Sequence, residues 1–522
     1  MARGLLGIAS VIALLTLLSK GFGFGRELVI AYQFGAGVAK DAYTAAYIIP
    51  AFSLIMLGGL TGPFHTVTQR ILATLRHRGE DAAIPGVMAA IFVVVTAVMG
   101  GLAALTYFAA PLMIKAVASQ LSGPAFEIAV MQLQLMSPLV LLGGLIGILC
   151  GISNDRGDFT LPSLSPLVAS LAIIAVVLLK PDPLALAWGT LLGGLGQLLL
   201  QAPAAIKLLG SPAALAMDFR HPEVLGLWRL LLPASVSQTI GTINVIIGTN
   251  FASSLPTGSL SVFDYANKLV QLPLGILMTA LLIPLFPLLT KAAVAGDEPG
   301  LAHWMNRGLS TIALATLPLM ALFVAAGEPL VAVLYERGAF DAAATRMTYG
   351  VLAVVAASIL AYAARDLFIR VFYALDDSRT PLFVSVLSIA TTTAFMAVTI
   401  GPFGLLGLAG ATAGVTIFNC LLIGYLLKRK LGALPIGPSV ALTGKAFVAA
   451  ALACAAAWAA ALPVAWQDGF VWDLARLAWQ SAVLGGVYVV VLMLFRVPVL
   501  AGLSHVASRF RKKGAQAVGQ SS

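Results

Sequence analysis

Charged residues are scarce in this sequence of 522 residues, where aspartate, glutamate, lysine and arginine together make up only 10%. Soluble globular proteins contain about 25% charged residues. Hydrophobic residues reach 60% here, and the mean hydropathy is +0.98. This composition excludes an ordinary soluble enzyme or binding domain and indicates a polytopic membrane protein.

Cysteine is also rare, and the three cysteines, Cys150, Cys420 and Cys454, each lie inside an apolar run. Their wide spacing predicts neither a disulfide framework nor a metal site. The sequence contains no HExxH, GxSxG or P-loop motif, and its five histidines lie at or near the gaps between apolar runs. We therefore expect no catalytic residues, no metal and no cofactor.

The net charge of +10 does not indicate a nucleic-acid partner, because the basic residues stand singly in short polar gaps without interleaved aromatic residues. They indicate topology instead. About 20 lysines and arginines fall in the gaps on the N-terminal side of the membrane and about 6 on the other, so the positive-inside rule predicts that both termini are cytoplasmic. The apolar run after Arg3 is interpreted as a first, uncleaved span rather than a signal peptide.

Spanning helices need about 20 mainly apolar residues, and about fourteen segments reach this length. They lie near 5–32, 42–63, 84–108, 127–150, 161–179, 183–206, 226–251, 262–289, 307–326, 346–374, 380–400, 403–427, 441–463 and 477–497. The sequence thus predicts an all-α polytopic membrane protein with about 14 transmembrane helices.

The two halves of the chain repeat weakly. Asp41 precedes Pro50 by nine residues, and Asp264 precedes Pro273 by nine residues. Further on, DFTLP at 158–162 matches DSRTP at 377–381, and the two offsets are 223 and 219 residues. We predict two pseudo-symmetric six-helix lobes in the same orientation, at 1–222 and 223–430, followed at 431–522 by two additional helices and a basic cytoplasmic tail.

Basic residues within the predicted spans are the candidate functional residues: Lys20, Arg26, Lys268, Arg365 and Arg370. A basic residue at the centre of a spanning helix costs about 2.5–3.5 kcal/mol on insertion scales, so it usually faces a protein-lined cavity. Arg370 follows Asp366 by four residues, which favours a structural pair, whereas Arg365 has no such neighbour. Lys268 follows Asp264 by four residues, so a local pair is an alternative to a role in a cavity.

Lys20 and Arg26 are six residues apart, about 120° around an ideal helix. The helix would let both cations reach one cavity if it bends or unwinds at the intervening glycines, Gly21, Gly23 and Gly25. The alternative is that the first helix ends near Lys20 and that Arg26 pairs locally. The apolar run ELVIAY that continues after Arg26 favours the cavity.

Three segments carry a resemblance to a known family. SKGFGFGRELVIAYQFGAGVAKDAY (19–43) is similar to S-R-x-x-G-x-x-R-[DE] followed by F-G-A-G-x-x-x-D-A. YANKLVQLPLGIL (265–277) is similar to Y-A-D-R-L-x-x-x-P-x-G, and FYALDDSRTP (372–381) to F-Y-x-x-x-D-x-x-T-P. Over about 1–430 the chain thereby resembles the MurJ (MviN-like) lipid II flippases of the multidrug, oligosaccharidyl-lipid and polysaccharide exporter superfamily.

The resemblance implies a V-shaped pair of six-helix lobes around a cationic central cavity that opens alternately to each side of the cytoplasmic (inner) membrane. It implies movement of an undecaprenyl-diphosphate-linked peptidoglycan precursor to the periplasmic leaflet, by a chain that we expect to act as a monomer among membrane lipids. By motif position, the family's functional residues fall on Lys20, Arg26, Asp41 and Lys268. Arg365 joins them as a predicted substrate-binding residue because of its place within a span.

The chain departs from the family pattern after Pro50, where the family has arginines and then an acid, and at Asn267 and Gln271, where many members carry acids. The seventh, eleventh and twelfth predicted spans contain no carboxylate, so no sodium site is expected. A flippase for another polyprenyl-diphosphate glycan and a small-molecule or cation antiporter are the alternatives within transport. A membrane scaffold for cell-wall synthesis is the alternative outside it, and a scaffold would not need Lys20 and Arg26 inside the bilayer.

Overall fold

A computed structural model describes residues 2–59, 62–432, 436–462, 466–467 and 469–497, and all regular structure in these residues is helical. The predicted basic tail, with Arg509, Arg511, Lys512 and Lys513, lies outside the described residues. The α-helices are α1 (Ala2–Phe34), α2 (Val38–Ala51), α3 (Pro63–His77), α4 (Ile84–Phe108), α5 (Ala110–Val117), α6 (Gly123–Met136), α7 (Pro138–Asp155), α8 (Thr160–Leu179), α9 (Ala185–Leu209), α10 (Pro222–Leu225), α11 (Leu227–Ala252), α12 (Ser259–Val294), α13 (Glu298–Ala325), α14 (Gly327–Tyr335), α15 (Ala342–Ala356), α16 (Ile359–Ala374), α17 (Arg379–Leu431), α18 (Gly437–Ala459) and α19 (Phe470–Leu494). A π-helical turn, Phe52–Leu57, follows α2, and 3₁₀ turns lie at Asp81–Ala83 and Pro212–Leu215.

Nine helices of the described residues are long and apolar enough to cross a membrane, or up to eleven if each of two bent helix pairs is one span. The predicted all-α, multi-pass architecture is therefore confirmed, whereas the exact count of fourteen is not. Part of the difference between the observed and predicted span counts lies in α17, which counts as one span. Its 53 residues would extend about 80 Å, well over the ~30 Å hydrocarbon core. Its backbone leaves the helical conformation at Gly404, where φ is 53° and ψ is −127°. α2 has only 14 residues, about 21 Å, and is too short to span alone.

The described residues form two compact units. The first falls within Met1–Tyr265, Tyr335–Met347 and Ser385–Ala411, and the second within Ala266–Leu334, Thr348–Val384 and Thr412–Ser522. Each unit has its own apolar clusters of fully buried side chains, which include Ile71 and Met88 in the first unit and Leu317 and Ala453 in the second.

The two C-terminal helices of the described chain, α18 and α19, pack against α13 in the second unit. Side-chain hydrogen bonds contribute to this contact at both helices. The N–H of Ser439 donates to Oδ1 of Asn306 at 3.1 Å, and Nε2 of Gln480 donates to the carbonyl of Ala325 at 3.0 Å. Since polar side chains are costly in a bilayer, such pairs bind neighbouring membrane helices at about 0.6–2 kcal/mol each.

A close backbone contact joins the π-helical turn to α7 in the first unit. The carbonyl oxygen of Ser53 lies 2.5 Å from the position that a Cβ on Gly143 would occupy, and the hydroxyl of Ser53 donates to the carbonyl of Val140 at 2.8 Å. Pro50 inside α2 removes one helical N–H, and the π-helical turn that follows brings the chain against α7. Only glycine at position 143 permits this approach.

The two D-x-x-x-P motifs have the same local role at the start of a helix. Asp158 accepts a hydrogen bond from the N–H of Thr160 at 3.0 Å, at the start of α8. Asp377 accepts one from the N–H of Thr380 at 3.0 Å, at the start of α17, and one from Nζ of Lys430 at 2.7 Å. The bond from Lys430, with that from Thr380, lowers the pKa of Asp377 to about 2. This carboxylate is therefore ionised throughout the neutral pH range.

Gly143→Ala is expected to destabilise the protein, because its methyl group would overlap the backbone of Ser53 and overpacking costs about 1–3 kcal/mol. The matched control is Gly101→Ala in α4, where a Cβ meets no atom within 4 Å. That substitution should be neutral or stabilising, since alanine favours a helix over glycine by about 1 kcal/mol. The apparent melting temperature of the detergent-solubilised protein measures both effects, and equal values for the two variants would contradict the packing argument.

Candidate functional site

A cavity of about 490 Å³ lies inside the first unit, bounded by α1, α7, α8, α9 and the end of α2 with its π-helical turn. Small-molecule sites have volumes of roughly 300–1,000 Å³. Lys20 and Arg26 both line this cavity. α1 continues through both residues as one helix, so the two cations share the cavity without a break at the glycines. Gly23 lines the cavity between them and adds no side chain that would fill it.

The two cations differ in their partners. Nε and Nη2 of Arg26 donate to Oε1 of Glu27 at 3.0 and 2.5 Å, and the Glu27 side chain is only 5% exposed. Lys20 is exposed and makes no hydrogen bond or ion pair with a described residue. This side of the cavity, which we name the cationic wall and define by Lys20 and Arg26, thus carries one positive charge in excess of Glu27.

The part of the cavity lining that α8 and α9 supply is uncharged. We name it the neutral wall and define it by the residues of these two helices that line the cavity: Pro162, Ser163, Ser165, Pro166, Ala169, Ser170, Ile173, Thr190 and Gln197. The sequence analysis did not identify these residues as site residues, because neutral residues within an apolar run give no charge signal. The only available signal was spacing, since Gln197 and Gln201 are four residues apart and share one face of α9.

Asp41 lies in the first unit but does not line the cavity. Its carboxylate accepts hydrogen bonds from the N–H groups of Gly258 and Ser261 at 2.5 and 2.8 Å, and from the hydroxyl of Ser261 at 2.5 Å. These groups belong to the start of α12, where unpaired N–H groups and the helix dipole favour an anion. The structure gives Asp41 the position of a cap on α12, and its role in substrate binding stays a prediction.

The repeat equivalent of Asp41, Asp264, binds Lys40. Nζ of Lys40 donates to Oδ2 of Asp264 at 2.6 Å and to the hydroxyl of Thr44 at 3.1 Å, and the lysine side chain is 1% exposed. The rings of Tyr43 and Tyr265 lie 5.7 and 5.3 Å from the ammonium, within the range of a cation–π interaction. The sequence analysis did not single out Lys40, although it identified both aspartates beside it.

The repeat extends to a glycine six residues before each aspartate. Gly35 and Gly258 have φ values of 53° and 93°, a conformation that favours glycine. The hydroxyl of Tyr265 donates to the carbonyl of Gly35 at 3.1 Å, while Gly258 donates to Asp41. Each segment therefore binds the backbone of the other segment's glycine, one through Asp41 and the other through Tyr265.

Lys268, Arg365 and Arg370 lie in the second unit. The guanidinium carbon of Arg365 lies 4.9 Å from the centre of the Tyr362 ring, and its buried Nε has no hydrogen-bond partner among the described residues. Nε of Arg370 donates to Oδ2 of Asp366 at 3.4 Å, which is the pair that their four-residue spacing favoured. Lys268 is half-buried on α12. Among the described residues, no group of three or more histidine, cysteine, aspartate or glutamate side chains is arranged to hold a metal ion.

Comparison with known proteins gives consistent results. A family model described as "Lipid II flippase MurJ" matches residues 30–478. The chain is 33% identical to a protein of Synechocystis sp. described as "Probable lipid II flippase MurJ", over 95% of this chain and 96% of that protein. It is 31% identical to the "Lipid II flippase MurJ" of Burkholderia cenocepacia, over 84% of this chain and 87% of that protein.

Solved structures show the same fold. "Lipid II flippase MurJ, inward closed conformation" matches with a TM-score of 0.74 and 20% identity, over 93% of this chain and 98% of that chain. An inward-facing multidrug resistance MATE family transporter of the MOP superfamily matches with a TM-score of 0.65 and 15% identity, over 82% of this chain and 98% of that chain.

Lys40→Met is expected to lower stability, because it removes the ammonium that binds the Asp264 carboxylate. Removing one partner of a buried ion pair costs about 3–5 kcal/mol. Because the Asp264 side chain is 24% exposed, we expect the loss of stability to lie at or below the lower end of this range. Lys40→Met combined with Asp264→Leu should recover most of the loss, since it removes both charges. The measurement is the apparent melting temperature in lipid nanodiscs.

The control for this pair is Lys115→Met, which removes an exposed lysine whose ammonium lies 5.9 Å from the Phe126 ring. It should leave the melting temperature almost unchanged. A Lys40→Met variant as stable as Lys115→Met would show that the buried pair contributes nothing.

Proposed function

The chain belongs to the lipid II flippase MurJ family, and from this premise we propose that it moves lipid II, an undecaprenyl-diphosphate-linked peptidoglycan precursor, from the cytoplasmic to the periplasmic leaflet. The observation that supports this most directly is the cavity that Lys20 and Arg26 line together. Two cations on one wall of a cavity give this multi-pass chain a polar site within the membrane. Transport, rather than catalysis, is the activity that this arrangement serves.

The chemistry of the cationic wall suits a diphosphate. Hydrogen bonds between ionised partners are roughly twice as strong as neutral ones, and two unit charges 4 Å apart attract by about 4 kcal/mol at an effective dielectric constant of 20. Lys20 has no competing partner among the described residues. Arg26 would divide its five donors between Glu27 and the ligand. The wall therefore attracts an anion without holding it irreversibly.

The remaining residues have proposed roles of different kinds. The transport path gains further positive charge from Lys268 and Arg365. For Arg365, the support is its Nε group, which has no hydrogen-bond partner among the described residues. Asp41 acts on transport through α12, whose first N–H groups it binds. Two six-helix lobes, 1–222 and 223–430, would alternate access to the substrate, in a monomer with both termini in the cytoplasm of a bacterial inner membrane.

Arg26→Ala should abolish growth of a cell depleted of its own lipid II flippase, while the variant is still inserted in the membrane. Loss of a hydrogen bond to a charged group costs about 1.5–3 kcal/mol, so transport of lipid II in proteoliposomes should fall by roughly tenfold or more. Arg26→Lys should retain part of the activity because it keeps the charge. Lys115→Gln, which removes a basic residue outside the cavity, should support normal growth.

A double variant separates binding from simple neutralisation of Glu27. Arg26→Gln combined with Glu27→Gln removes both charges and keeps two side chains of similar size. If Arg26 binds the diphosphate, this variant folds but stays inactive. If Arg26 serves only to neutralise the buried Glu27, the double variant regains growth, and that result would overturn the role proposed for the cationic wall.

A further inference from the structure

The hydroxyl groups of the neutral wall have already used their protons. The hydroxyl of Ser163 donates to the carbonyl of Phe159 at 2.7 Å, and that of Ser170 donates to the carbonyl of Pro166 at 3.0 Å. Each of these oxygens therefore retains only lone pairs for another partner. Pro166 also has no N–H, so the carbonyl of Pro162 lacks its usual helical donor. These groups offer the cavity hydrogen-bond acceptors.

A short chain of hydrogen bonds leaves a side-chain donor on this wall. Nε2 of Gln201 donates to the hydroxyl of Ser165 at 3.4 Å, and that hydroxyl donates to Oε1 of Gln197 at 3.0 Å. This direction assigns Oε1 of Gln197 as the acceptor and leaves its Nε2 group at the end of the chain. The Nε2 group makes no hydrogen bond to a described residue, although Gln197 is only 8% exposed.

Helix packing uses only the Oε1 end of the Gln197 side chain. The bond between Ser165 and Gln197 joins α8 to α9, and a leucine at position 197 would join them by apolar contact at no desolvation cost. The Nε2 group remains accessible from the cavity, so a ligand there can accept hydrogen bonds from its two N–H groups. Gln197 lines the cavity that Lys20 and Arg26 line, so such a ligand would contact both walls.

The two walls differ in the chemistry that they recognise. A diphosphate only accepts hydrogen bonds, so it suits the cations and is repelled by the lone pairs of Ser163 and Ser170. Sugar hydroxyl and amide groups both donate and accept, as the neutral wall requires. We propose that the neutral wall binds the uncharged, hydroxyl- and amide-bearing sugar next to the diphosphate, and that Gln197 determines specificity for a glycosylated over a bare polyprenyl diphosphate. This inference rests on the proposed function.

Equilibrium binding of the full-length protein in nanodiscs to two probes tests the inference. One probe is a polyprenyl diphosphate without a sugar, and the other is the same lipid carrying an N-acetylated disaccharide. The unmodified protein should bind the glycosylated probe more tightly. Gln197→Leu should weaken binding of that probe by about tenfold, the effect of one lost hydrogen bond to a buried group, and leave binding of the bare lipid unchanged.

Two further variants complete the experiment. Lys20→Gln should weaken binding of both probes, because it acts on the diphosphate that they share. Gln134→Leu is the matched control on α6, since Gln134 lies outside the cavity and donates to the carbonyl of Tyr107 at 3.4 Å. It should change neither affinity. Unchanged binding of the bare lipid by Gln197→Leu also shows that this variant is folded.

The outcomes separate the inference from the function on which it rests. If Gln197→Leu lowers the affinity for both probes equally, Gln197 has a structural role and the inference is overturned. It is also overturned if Gln197→Leu binds both probes as the unmodified protein does. If the unmodified protein binds neither probe, the proposed function fails, and the inference fails with it.

Discussion

The free-energy cost of an ion in a low-dielectric interior decides what the charged residues of this chain do. Removing an ion from water costs several kcal/mol unless a partner compensates it. Lys40 meets this cost by binding Asp264, and Arg26 meets part of it by binding Glu27. Lys20 has no such partner among the described residues and faces a cavity instead. Charges that are compensated within the fold join its helices, whereas an uncompensated cation attracts a ligand.

Two similar sequence segments contribute many of the polar groups that meet within the first unit. Gly35 and Gly258 begin the two equivalent segments with positive φ values, and the aspartates six residues later are Asp41 and Asp264. The contacts are reciprocal, because Asp41 binds the backbone of Gly258 while Tyr265, next to Asp264, binds the carbonyl of Gly35. The two aspartates have nevertheless diverged. One caps a helix, and the other neutralises a lysine that its own half of the repeat does not contain.

The sequence predicted the helical membrane architecture and the shared cavity of Lys20 and Arg26 because charge within a long apolar run is a strong signal. It did not predict the partner of Lys40, since a contact between residues 224 positions apart leaves no local pattern. The neutral wall was also missed. Single serines and glutamines are common in membrane helices, and only the packing of α8 against α9 places Ser165 beside Gln197. The span count differs for another reason, because the sequence predicts separate spans at 380–400 and 403–427, whereas α17 runs through both with a break of the helical conformation at Gly404.

A transporter must release what it binds, and this requirement explains the division of the cavity into two walls. Positive charge attracts any diphosphate, so stronger attraction would slow release without improving selection. The Glu27 carboxylate limits this attraction by engaging Arg26. Neutral hydrogen-bonding groups add little net affinity when they are satisfied, but each costs about 1–3 kcal/mol when a ligand leaves it unpaired. In the proposed function, selectivity therefore resides in the neutral wall around Gln197, and the cationic wall, where Glu27 engages Arg26, attracts the diphosphate.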